Sequence, residues 1–132
     1  MRMMGHNVLA IVLAAIVIYA IEFVIFGVLI PGDQYMAMTG LAEGQGDASR
    51  MPFGAIMPVL IAIGLALAIK WRNAPGLMGG VTTALMMAVL FGFSTGMYSY
   101  VYGANTAQFL LVDLGTGLVT YGAAGAVLGA WK

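Results

Sequence analysis

The sequence contains no cysteine, a single histidine and few charges: five Lys or Arg and five Asp or Glu in 132 residues, with a formal net charge of zero. Each shortage removes a class of function. Without Cys there is no disulfide framework, no thiolate metal site and no thiol nucleophile. His6 alone cannot assemble a metal centre, and its place just before the first apolar run suits a residue at a membrane interface. No basic patch exists to neutralise phosphates, which excludes nucleic acid as a partner. No Ser-His-Asp set, P-loop, dinucleotide fingerprint or haem-attachment motif occurs, so neither an enzyme nor a cofactor is expected. Only 8% of the residues are charged, against about a quarter in soluble domains. That is too few to cover the surface of a globule in water.

What is present is apolar. Hydrophobic residues make up 62% of the chain and its mean hydropathy is +1.00, which also excludes a disordered chain and a soluble coiled coil. Four apolar runs, at about 8–30, 51–69, 77–102 and 109–131, each come close to the ~20 residues that cross a ~30 Å hydrocarbon layer. Pro31-Gly32 stops the first run, and the Lys70-Trp71-Arg72 cluster bounds the second. The first run is too long for the hydrophobic region of a signal peptide and carries Glu22 inside it, so it reads as a retained helix. The expected fold is all-α: one transmembrane domain over 1–132, a bundle of four helices in up-down topology with an outer loop at 31–50. Within that loop Asp33 can cap a helical turn through Met38, with Gly40 ending it.

Basic residues stay cytoplasmic. With four spans, Arg2, Lys70, Arg72 and Lys132 share one side, while Arg50 lies on the other with Asp33, Glu43 and Asp47. Both termini are therefore expected in the cytoplasm of a bacterial inner membrane. Trp71 and Trp131 on that side, and Tyr98, Tyr100 and Tyr102 opposite, suit interfacial belts.

Lipid is as apolar as Leu, so helices associate through close packing and buried hydrogen bonds. Ala88, Gly92, Thr95, Ser99 and Tyr102 form a small-residue stripe at helical spacing, and GxxxG pairs occur at Gly92/Gly96 and Gly125/Gly129. These pairs serve packing within the chain or contact with another copy. Pro58, inside the second run, is expected to kink it, either as a hinge or as a tolerated bend. The eleven methionines supply adaptable packing.

Two carboxylates fall within the runs, where each costs at least about 2.5 kcal/mol to insert. Glu22 lies ~12 Å and Asp113 ~6 Å along their helices from the same end, which places them in one leaflet. Tyr19 precedes Glu22 by one turn, and Asp113, Thr116, Gly117, Thr120 and Tyr121 share a helix face. Apposed carboxylates can share a proton, and a relay would use that. Paired to tyrosines, they can equally pin helices together, and Asp113 is near enough to the interface to meet water, the tyrosines of the third run or Arg50.

The run at 90–132 carries further marks: Gly92-Phe93, Ser94-Thr95, Tyr102-Gly103, Val112-Asp113-Leu114-Gly115, and Gly125-Ala126 through Gly129-Ala130-Trp131, with Arg72-Asn73 and Gly76 upstream. In these it resembles an uncharacterised bacterial membrane family, domain of unknown function 1761. The chain departs from that family at Ile25-Phe26, where members carry Trp-Tyr, and at Thr116, where they tend to carry His. The resemblance implies a small four-helix membrane protein and brings no assigned activity with it. The chain itself is expected to act as a structural or accessory subunit of a homo-oligomer or larger membrane complex. The alternative is a proton-coupled small-solute or ion carrier or channel using Glu22 and Asp113.

Overall fold

The computed structural model describes residues 2–3, 6–39, 53–73 and 76–131. The expectations placed on Gly40, Glu43, Asp47, Arg50 and Lys132 lie outside the described residues. A short antiparallel ribbon, β1 (Arg2–Met3) and β2 (His6–Asn7), pairs Arg2 with Asn7 and Met3 with His6. Five helices follow among the described residues: α1 (Val8–Leu29), α2 (Gly32–Thr39), α3 (Phe53–Arg72), α4 (Gly76–Val101) and α5 (Ala107–Ala130). The fold is all-α in architecture, and α1, α3, α4 and α5 are each long and apolar enough to cross a membrane.

Helix ends follow local chemistry. Asn7 caps α1, its side-chain oxygen accepting from the Leu9 N–H at 2.9 Å. Asn73 closes α3 in the left-handed conformation at φ 55°, which a short polar side chain tolerates. Thr106 caps α5 by accepting from the Phe109 N–H at 3.3 Å. Pro58 proves to be the third residue of the α-helical part of α3, after a single 3₁₀ turn at 53–55. In the first turn its missing N–H has no intrahelical partner to lose, so the kink expected there has no cause.

Two of the helices change pitch. The last six residues of α1, Val24–Leu29, and the middle of α4, Ala88–Phe93, are π-helical; the Ile30 N–H reaches back five residues to the Ile25 carbonyl at 3.0 Å. The π segment in α4 rotates the face that follows it. The small-residue stripe read from the sequence therefore breaks after Gly92: Thr95, Ser99 and Tyr102 are exposed, and Gly96 turns inward in their place.

Helix α5 runs antiparallel to α4, because contacts pair Gly76 and Gly80 with Gly129 and Gly125 at one end, and Gly92 and Gly96 with Tyr121 and Asp113 at the other. It also opposes α1, where Phe26 meets Phe109. The start of α1 and the end of α5 thus share one end of the bundle, with Trp71 and Trp131, while Tyr98 and Tyr102 lie at the opposite end. Ala10, Ala14, Ile18, Ala66, Ala84 and Leu128 head a dry core of mostly small side chains in the half nearer the tryptophans. The outside is apolar, with Leu9, Leu60, Met78 and Leu111 all exposed.

Candidate functional site

In the other half of the bundle the interior is polar. Glu22 reaches inward from α1 two residues before its π segment begins, and Asp113 from α5. Both are half-buried and line a single cavity of about 170 Å³, along with Phe26, Ala88, Gly92, Phe93, Thr116, Gly117, Thr120 and Tyr121. That volume holds a few waters, each occupying about 30 Å³ in the liquid. Glu22 and Asp113 interact electrostatically, and the Tyr121 phenol interacts with both. No Lys, Arg or His is among the described residues lining the cavity.

Local structure explains how the acids fit. At Gly96 a β-carbon would stand 2.7 Å from Asp113 Oδ2, so the carboxylate lies directly against the α4 backbone. At Gly92 a β-carbon would approach the Tyr121 hydroxyl at 3.8 Å, an ordinary contact. This GxxxG pair makes room for the polar side chains of α5 and does not serve backbone contact. Gly125 and Gly129 do serve it. A β-carbon on Gly125 would meet the Gly80 carbonyl oxygen at 2.5 Å, and one on Gly129 the Gly76 carbonyl oxygen at 2.5 Å.

The threonines are oriented by their own helix. Thr116 Oγ1 donates to the Val112 carbonyl at 2.8 Å and Thr120 Oγ1 to the Thr116 carbonyl at 2.9 Å. Their protons are committed to backbone, and only lone pairs remain to offer. Apart from the Tyr121 hydroxyl, the polar side chains around the cavity can therefore only accept unless a carboxyl carries a proton. With no cation among the described lining residues, a shared proton or a bound cation would relieve the repulsion between the two carboxylates.

Of the five polar candidates, the structure brings Glu22, Asp113, Thr116 and Thr120 together and leaves Tyr19 apart. Tyr19 is 51% exposed and lines a different, apolar groove between α1 and α3, with Ile16, Pro58 and Ile63. Tyr121 takes the position near Glu22 that the one-turn spacing had suggested for Tyr19. The polar stripe on α5 already included Tyr121, but only the pairing of α5 with α1 shows which carboxylate it faces. Phe26 and Gly80 were missed. A signal for Gly80 was present, since Gly76 and Gly80 form a third GxxxG pair; Phe26 had none.

The chain belongs to the family described as "Protein of unknown function (DUF1761)", whose sequence profile matches residues 9–129. No curated protein and no solved structure matches it.

Proposed function

We propose that this member of the family is a multi-pass protein of the bacterial inner membrane, four up-down spans with both termini cytoplasmic, that carries a proton, coupled to a small solute or ion, on Glu22 and Asp113. The observation that carries this reading is that two carboxylates from different helices line one small cavity, with no Lys, Arg or His among the described residues that line it. The apolar exterior and the length of the four helices support lipid as the surrounding medium. π-Helical segments on both sides of the cavity add support, since such segments recur at functional sites.

A role as structural or accessory subunit comes second. It draws on the same apolar exterior, but the glycines that suggested an external partner, Gly92, Gly96, Gly125 and Gly129, make contacts inside the chain.

Infrared difference spectra of the protein in lipid, taken between acid and alkaline pH, test the proton site. Two carboxyls that share a proton titrate as a pair. Glu22→Gln is expected to shift the Asp113 band, and Asp113→Asn the Glu22 band. Two bands each indifferent to loss of the other would defeat the proposal. A reporter fused to the C-terminus, active only outside the cytoplasm, would overturn the orientation.

A further inference from the structure

At the end facing α2 the cavity is bordered by Phe26, which belongs to a cluster of three rings. Phe26, which lines the cavity, meets Tyr35 of α2 at 5.8 Å between ring centroids and Phe109 of α5 at 6.3 Å; Tyr35 and Phe109 stand 5.9 Å apart, edge to face. Helix α2 is fastened over this cluster at its far end. The Met38 carbonyl accepts two hydrogen bonds from Thr106, one from its N–H at 2.8 Å and one from its Oγ1 at 2.9 Å. At its near end α2 joins α1 through Ile30, an extended residue, and Pro31. Among the described residues the eight-residue helix is held by one short joint, one doubly accepting carbonyl, one aromatic cluster and the buried side chains of Met38 and Thr39 at its far end.

We propose that α2 is a lid, and that opening it withdraws Tyr35 and frees Phe26 to admit water and solute to Glu22 and Asp113. The lid supplies access control to the site proposed above, and its purpose rests on that reading. Its existence does not. Tyr35 is the informative residue, because it makes two of the three ring contacts and does not line the cavity. Thr106→Val removes one of the two bonds at Met38, keeps the other, and also removes the α5 cap to the Phe109 N–H, so Tyr35→Ala is the cleaner probe.

The chain has no native Cys, so a single introduced thiol reports without background. Gly117 lines the cavity, and a β-carbon there meets nothing within 4 Å, so Gly117→Cys has room for a thiol at the cavity wall. In lipid nanodiscs, its reaction with a small water-soluble thiol reagent measures opening. Adding Tyr35→Ala should speed labelling about tenfold, the combined worth of two aromatic pairs. Adding Thr106→Val, which removes the Met38 bond and the α5 cap together, should speed it about threefold or more, and Thr106→Ser, which keeps both, should return the parent rate. Rates unchanged by Tyr35→Ala and Thr106→Val would overturn the lid. So would an equal acceleration at Ala66→Cys in the dry core, which would show general loosening. A lid confirmed by labelling alongside carboxyl bands that ignore each other would stand without the proton site; the reverse result would leave the proton site without a lid.

Discussion

The two halves of the α4–α5 contact are built from the same residue at the same spacing and have opposite characters. Near the tryptophans, Gly76 and Gly80 face Gly129 and Gly125, and backbone lies on backbone. Near the tyrosines, Gly92 and Gly96 face Tyr121 and Asp113, and the space left by the missing β-carbons is filled by a phenol and a carboxylate. In the first half glycine removes a cavity; in the second it accommodates polar groups beside one. A GxxxG pair therefore signals close approach, and what approaches depends on the facing helix.

The largest effect is expected where backbone meets backbone. Gly80→Ala would drive its β-carbon into the Gly125 carbonyl oxygen and to within 2.8 Å of the Gly129 α-carbon. Neither can yield without parting the helices. A loss of about 1–3 kcal/mol is expected, as for overpacked interiors, read as a lower thermal midpoint in detergent. Gly125→Ala should behave alike, since it meets both Ala84 and the Gly80 carbonyl. An unchanged midpoint for both would mean that the helices do not touch here.

In the polar half the same substitution should act on the site more than on the fold. Gly96→Ala meets only the end of a side chain, Asp113 Oδ2 at 2.7 Å, and that carboxyl can swing away. The expected cost is about 1 kcal/mol, at the low end for overpacking, with a displaced Asp113 band in the infrared spectrum. Gly92→Ala, 3.8 Å from the Tyr121 hydroxyl, should leave that band in place. Equal shifts from the two would erase the distinction drawn between these glycines.

How far the halves were legible in the sequence follows from what each depends on. Four apolar helices were readable from run length alone, and α5 was expected to begin within two residues of Ala107. Glu22 and Asp113 stood out because charge in an apolar run is costly, and their estimated depths placed them in one leaflet. Their partners depend on rotation about the helix axis, which a π segment resets. Counting from Ala88 in steps of three and four offers both Gly96 and Thr95, and the π segment decides that Gly96 turns inward and Thr95 outward. Tyr19 failed for a related reason: one turn from Glu22 along α1, it falls on the face that turns to the groove with α3. Pro58 was misjudged because the boundary of its helix was placed too early, and a proline in the first turn bends nothing.

The smallest effect sharpens the comparison from outside both halves. Gly115 lies on the exposed face of α5, where a β-carbon meets nothing within 4 Å. It has neither a backbone neighbour nor a polar group to accommodate. Alanine loses less conformational freedom in a helix than glycine, so Gly115→Ala should raise stability by about 0.5 kcal/mol and leave the carboxyl bands unmoved. Three glycine-to-alanine changes, at Gly80, Gly96 and Gly115, would then give three signatures: loss of fold, a moved carboxylate, and a slight gain. A clear loss of stability at Gly115 would mean that this face is covered in the assembled protein. It would favour the accessory-subunit role, because a second protein surface would then be pressing where only lipid is expected.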